Sequence, residues 1–255
     1  MIPKTSGMKS GIFKGRQRGG SMYQFEGRIR YSECDAQGKC TLLSILEYFQ
    51  DCAIFHSQDH HVGLDYLAKN HCAWFLISWQ IVVDKYPEFG SEIVVKTLPY
   101  DLKGFLGFRN FVMETKQGEQ LAYANSVWSM MDTQTNMPMR PTQEMLKAYT
   151  IEPRLQMEYL PRKIALPQEL LEQDPIEVME YHLDTNQHVN NSEYTKIAMH
   201  FVPKDKPIRM LRAEYKKQAK LGDMIYPAVD RKEQTVCVAL QNEQKEEYAI
   251  VEFYL

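Results

Sequence analysis

Apolar positions recur along this chain with two different periods, and the order of the periods divides it into two similar halves. Over residues 24–31, apolar and polar side chains alternate, the period of a half-buried strand. Leu42, Ile45, Leu46, Phe49, Cys52, Ala53 and His56 then recur at helical spacing, with Thr41 placed to cap the first turn. That face is almost wholly apolar, so the helix is expected to be buried. Strand-like runs follow at 74–83, 92–97, 105–115 and 120–131, separated by turn signals such as Tyr86-Pro-Glu-Phe-Gly90. A strand, a helix and four more strands make an α+β unit, 23–140, whose antiparallel sheet can wrap its helix. Prolines at 141, 153, 161, 167 and 175 mark a connector, 141–175, in which 143–148 reads as a short helix. The second unit, 176–255, opens with a strand over 176–183. Its helix begins about Asn191, with Tyr194, Ile197, Ala198 and Phe201 on one face.

The halves are related residue by residue. Asp184-Thr-Asn186-Gln-His188-Val-Asn190-Asn191 stands 149 positions after Asp35-Ala-Gln37-Gly-Lys39-Cys-Thr-Leu42. Asp184 pairs with Asp35, Asn186 with Gln37 and His188 with Lys39. The same offset maps the buried helix positions Tyr194, Ile197, Ala198 and Phe201 onto Ile45, Tyr48, Phe49 and Cys52. Further on, Leu221-Gly222-Asp223 matches Phe89-Gly90-Ser91 at an offset of 132. The second unit is therefore 17 residues shorter between helix and strand. The extra length in the first unit falls at 57–73, a loop plus short helix able to cover a ligand cavity. Glu214 pairs with Val82 at the new offset, again an ionisable group opposite an apolar one.

Composition narrows the class. A chain with 44% hydrophobic and 25% charged residues is that of a globular protein. No run of 18 apolar residues exists, so no membrane span is expected. Five cysteines, odd in number and without C-x-x-C spacing, argue against a disulfide framework and for a reducing, cytoplasmic setting. Residues 1–21 carry Lys4, Lys9, Lys14, Arg16 and Arg18 and no acid, and read as a disordered tail. Without those five, 25 basic residues face 33 acidic ones, a body at -8 that is a poor nucleic-acid binder. His56, Asp59, His60 and His61 resemble metal ligands, and His56 and His60 have the helical spacing of a zinc pair. No motif places a third ligand, and no metal or other cofactor is expected.

The second-copy string DTNQHVNNSEY within a tandem repeat, with the YPEFG turn after a tryptophan-containing strand, resembles the acyl-acyl carrier protein thioesterases, bacterial members above all. The resemblance covers residues 23–255. It implies a tandem hotdog fold, in which each curved antiparallel sheet wraps a long central helix. It implies hydrolysis of fatty acyl-acyl carrier protein to free fatty acid and carrier. By position it assigns catalysis to Asp184, Asn186, His188 and Glu214. The cysteine that often follows that glutamate in plant members is Tyr215 here, so a covalent cysteine route is closed at that site.

The residue types suit water attack. No Gly-x-Ser-x-Gly elbow is present. Glu214, held among apolar residues, is the leading general base; His188 shares or relays the proton, Asp184 orients it, and Asn186 donates to the water or oxyanion. Free N–H groups at the start of the second helix would add to oxyanion binding. Each group also has a plainer reading: Asp184, Asn190 and Asn191 as turn and cap, and Glu214 as an ion-pair partner between Arg212 and Lys216. Trp74, Trp79 and Phe49 are expected to line the acyl slot, with the first unit as the specificity half. Arg209, Arg212, Lys216, Lys217 and Lys220 form a basic cluster suited to docking an acidic carrier protein, or a solvated strand face. The rival functions are an acyl-CoA thioesterase, a dehydratase acting on hydroxyacyl chains and a non-catalytic acyl-binding module. The fused units either suffice as a pair or pair again as a homodimer.

Overall fold

Thr41 starts the long helix as its spacing predicts: its Oγ1 accepts the Ser44 N–H at 3.1 Å, and α1 (Leu42–Asp59) follows. The computed structural model describes residues 22–184 and 187–255. The basic tail, Thr185 and Asn186 lie outside the described residues. Around α1 the first unit supplies β1 (Tyr23–Arg28), α2 (Leu64–Lys69), β2 (Cys72–Val83), β3 (Glu92–Lys103), β4 (Leu106–Thr115) and β5 (Gln120–Asp132). The connector holds α3 (Gln143–Ala148) and β6 (Leu171–Glu172). The second unit supplies β7 (Ile176–Glu177), α4 (Asn191–Met199), β8 (Met210–Tyr215), β9 (Met224–Arg231), β10 (Thr235–Gln241) and β11 (Glu247–Tyr254).

All the strands join one sheet in the order β1-β3-β4-β5-β2-β8-β11-β10-β9-β6, with β7 also on β9. The units meet where β2 pairs antiparallel with β8, Trp79 opposite Ala213 and Ile81 opposite Leu211. On the inner face of this sheet lie α1 and α4, side by side. Ile45, Leu46, Phe49 and Cys52 of α1 are fully buried. The Phe49 ring lies 5.4 Å from Phe111 and 6.4 Å from Trp79. In the second unit Tyr194 of α4 lies 6.1 Å from Tyr215 and 6.5 Å from Tyr248. Burying one such ring contributes roughly 2–3 kcal/mol.

Equivalent hydrogen bonds repeat the sequence offsets. Asp35 N donates to Lys39 O and Asp184 N to His188 O, both at 2.8 Å. Thr41 N bonds Glu33 O, and Asn190 N bonds His182 O. The residue before Lys39 or His188 has positive φ in each copy, Gly38 at 73° and Gln187 at 62°. At the shorter offset, Cys40 N bonds Pro87 O and Val189 N bonds Ala219 O. Gly90 N reaches Ile29 O as Gly222 N reaches Val178 O.

Two expectations change. The strand over 176–183 ends at Glu177, and a 3-10 turn, Glu180–His182, leads into the loop. His182 Nδ1 accepts the Met179 N–H at 3.0 Å and so bends the chain, as the turn Tyr31–Glu33 does in the first unit. The extra 57–73 segment covers a filled cluster, not an open cavity: Tyr66 and Leu67 of α2 pack on Val62, Cys72, Met130, Met145 and Tyr149.

The candidate metal histidines point to a different use. His56 is buried, with its Nδ1 2.8 Å from Arg109 Nη1, and its ring is 4.8 Å from that of His60. Asp59 accepts the Tyr23 hydroxyl at 2.7 Å. Burial, then the Arg109 guanidinium, lowers the His56 pKa from its ordinary value to about 2. A neutral His56 accepting from a buried arginine leaves that nitrogen no lone pair for a metal.

Two predictions follow from these local environments. His56 is neutral when folded and takes a proton when unfolded below about pH 6.5, so its contribution is present above that pH and lost on acidification. Between pH 7 and 5 wild type should lose about 2 kcal/mol that a His56→Gln variant keeps; parallel denaturation curves for the two proteins would refute this. A Cβ added at Gly38 meets no atom within 4 Å, so Gly38→Ala should cost only its left-handed backbone strain, about 1 kcal/mol by urea denaturation.

Candidate active site

The second-unit turn gathers polar groups that its first-unit twin leaves in solvent. Asp35 and Lys39 are exposed; Asp184 and His188 are half-buried. Asp184 Oδ1 accepts the His188 N–H at 3.3 Å, while Asp184 N holds His188 O, so the aspartate fixes the histidine's backbone. The His188 Nδ1 atom is buried and has no hydrogen-bond partner among the described residues. A buried nitrogen of this kind is costly unless a ligand or a reaction uses it. Immediately afterwards Asn190 caps α4: its Oδ1 accepts from Ser192 N at 3.1 Å. The positive end of the α4 dipole therefore lies just beyond His188. Asn186, expected to donate its amide here, lies outside the described residues.

Sequence reasoning missed the segment that braces this turn. Ala219 O accepts Val189 N at 3.0 Å, and Ala219 N donates to the Tyr194 hydroxyl at 2.8 Å. Tyr215 hydroxyl donates to Asn191 O at 3.1 Å, tying β8 to the first turn of α4. The offset of 132 was the available signal, since it maps Ala219 onto Pro87, the residue that braces the first copy.

Glu214 requires a correction. Leu211, Ala213 and Tyr215 of β8 face the helices and join their core, and successive strand residues point to opposite faces. Glu214 thus projects from the outer face, among Ile164, Cys237 and Ile250. It is 4% exposed, and its Oε2 accepts the Ile164 N–H at 2.9 Å. The sheet separates it from α4 and the His188 turn; its carboxylate anchors the connector and is not placed to act as their base.

The remaining candidates divide. Phe49 and Trp79 come together with Phe111 on the inner face. Trp74 does not join them; it packs with the separate cluster beneath α2. Within the basic cluster, Arg212 pairs with Glu252 at 2.6 Å, Lys217 with Glu246 at 2.6 Å and Lys216 with Glu247 at 3.4 Å. Among the described residues Arg209 and Lys220 have no carboxylate partner, and both are exposed. Among the described residues the cluster thus keeps two cations without an acid, because its other three members neutralise acids on β11 and the turn before it.

Comparison with known proteins agrees with this architecture. A family model for the acyl-ACP thioesterase N-terminal domain matches residues 20–149, and one for the C-terminal domain matches 167–253. A chloroplast acyl-[acyl-carrier-protein] hydrolase of Cuphea viscosissima is 24% identical over 243 residues, covering 88% of this chain. The chain spans 57% of that relative's length. Among solved structures, an acyl-ACP thioesterase from Bacteroides thetaiotaomicron superposes with a TM-score of 0.82 at 21% identity, covering 91% of this chain and 97% of the other. The 12:0-ACP thioesterase from Umbellularia californica gives 0.81 at 17% identity, covering 94% and 98%. The fold is a tandem hotdog. With both family domains matched in order across most of its length, the chain belongs to the acyl-ACP thioesterase family.

Proposed function

We propose that this chain hydrolyses fatty acyl-acyl carrier protein to free fatty acid and carrier, with the second-unit turn as the catalytic face and the first unit as the specificity half. The observation that carries the reading is the buried, unpartnered His188 Nδ1 beside the α4 N-terminus, in a turn whose first-unit counterpart is exposed. Membership in the family supports the substrate class.

In this reading the His188 imidazole accepts a proton from water as the water oxygen attacks the thioester carbon. The carbonyl oxygen gains negative charge, which the α4 N-terminus and the Asn186 amide stabilise. Collapse breaks the carbon–sulfur bond, and the imidazolium returns the proton to the departing thiolate. Asp184 keeps the turn in shape through its bonds to the His188 backbone. Phe49 and Trp79 wall the acyl slot. All five cysteines are free thiols, four of them buried, which supports a reducing, cytoplasmic setting.

Docking of an acidic carrier would use Lys220 before the paired lysines, because it is unpaired and adjoins Ala219, the brace of the His188 turn. An acyl-CoA substrate is the competing reading; assay of one acyl group on both carriers decides between them.

His188→Ala should lower kcat by about 10²–10⁴-fold with far-UV circular dichroism unchanged. Glu214→Leu should behave oppositely: turnover persists, while the stranded Ile164 N–H costs about 1–3 kcal/mol of stability. Near-normal turnover in the first variant, or a catalytically dead but stable second one, would overturn these assignments. Lys220→Glu should raise KM for carrier-linked substrate several-fold more than for a small thioester; an equal rise on both would count against docking there.

A further inference from the structure

Four buried side-chain polar atoms have no partner among the described residues: Gln50 Oε1, Trp79 Nε1, Glu152 Oε1 and His188 Nδ1. Glu152 belongs to the connector. The other three belong to α1, β2 and the turn into α4; α1 lies against α4, and β2 pairs with β8 at the join of the units. Native proteins keep few such atoms, and each left unsatisfied costs about 1–3 kcal/mol.

The direction of Gln50 follows from its neighbours on α1. Tyr48 hydroxyl donates to Arg28 O at 3.4 Å, beside β1, and Cys52 Sγ reaches Val95 O of β3 at 3.6 Å. Phe49 lies against Phe111 of β4 and Trp79 of β2. Turning about 100° per residue in this sense, the helix sweeps its side chains across the sheet from β1 toward β2. Gln50, one further step round, faces past β2 toward the second unit and α4. Trp79 stands on the same side, on β2, opposite Ala213 of β8. An acyl slot needs neither group, since an alkyl chain offers nothing to an indole N–H or an amide.

We infer that Gln50 and Trp79 bind a part of the substrate that both donates and accepts a hydrogen bond. Trp79 Nε1 can only donate, and Gln50 Oε1 can only accept, so one hydroxyl or one secondary amide satisfies both. Such a group has two sources in a carrier-linked thioester: a hydroxyl on the acyl chain, or an amide of the thiol-bearing arm. The inference deepens the thioesterase reading and rests on it.

Three substrates of equal chain length separate the sources: a saturated acyl group on the carrier, its 3-hydroxy counterpart on the carrier, and the saturated acyl ester of a simple alkanethiol. Gln50→Leu and Trp79→Phe should each lower kcat/KM about tenfold where the group is present. Gln50→Leu, which leaves the walls of the acyl slot intact, should keep the alkanethiol ester within about twofold. Loss confined to the hydroxyacyl substrate assigns the chain; loss on both carrier substrates assigns the arm. Gln50→Asn keeps the amide, should recover part of the loss, and replaces the leucine variant if that fails to fold. Equal loss on all three substrates, or none on any, overturns the inference. Wild type inactive on every substrate refutes thioester hydrolysis itself, whereas active wild type with unselective variants refutes only the polar pair.

Discussion

The main-chain pairing of β2 with β8 is the constraint from which the rest of this structure follows. It joins five strands on one side to six on the other in one sheet and leaves no open edge between them. Because both helices lie on the inner face, the same pairing sets α1 alongside α4. The inner face then holds the aromatic core and the His188 turn. Without the seam, each half would expose a strand edge and the flank of a largely apolar helix.

On its outer face the seam is held by side chains that bond backbone. Gln80 donates to Glu158 O at 2.8 Å and accepts Leu160 N at 3.1 Å. Asn110 Oδ1 accepts Leu155 N at 3.1 Å and the Tyr159 hydroxyl at 2.9 Å. Arg212 reaches Pro161 O at 2.7 Å, and Glu214 takes Ile164 N. Residues 155–164 form no strand of their own, so their buried main-chain groups need such partners. This strap crosses from the first unit to the second and accounts for polar residues on strands that otherwise read as core.

The sequence revealed the repeated turn because a fixed offset carries both chemistry and backbone geometry. Asp184 and His188 were legible for that reason, and the matching hydrogen bonds of the two copies bear out the offset. A period of two, however, says only that neighbouring residues face opposite ways. It does not say which face meets a helix and which meets a connector, and so Glu214 was placed on the wrong side. The basic cluster misled in a related way: Arg212, Lys216 and Lys217 are adjacent in sequence, but their acids lie on β11 and the turn before it. Gln50 left no signal at all. It stands between Glu47 and Asp51 in a helical run, and only packing shows that its carbonyl is buried without a partner.

The strap that runs from Leu155 to Ile164 also bears on how such a molecule can evolve. Two separate copies of one chain must share every mutation, so a change that improves one face for binding damages its twin. A covalent tether anchored on both sides of the join keeps the same two halves together at every concentration. Selection can then act on each half alone, and an exposed Lys39 can persist at the position equivalent to a half-buried His188.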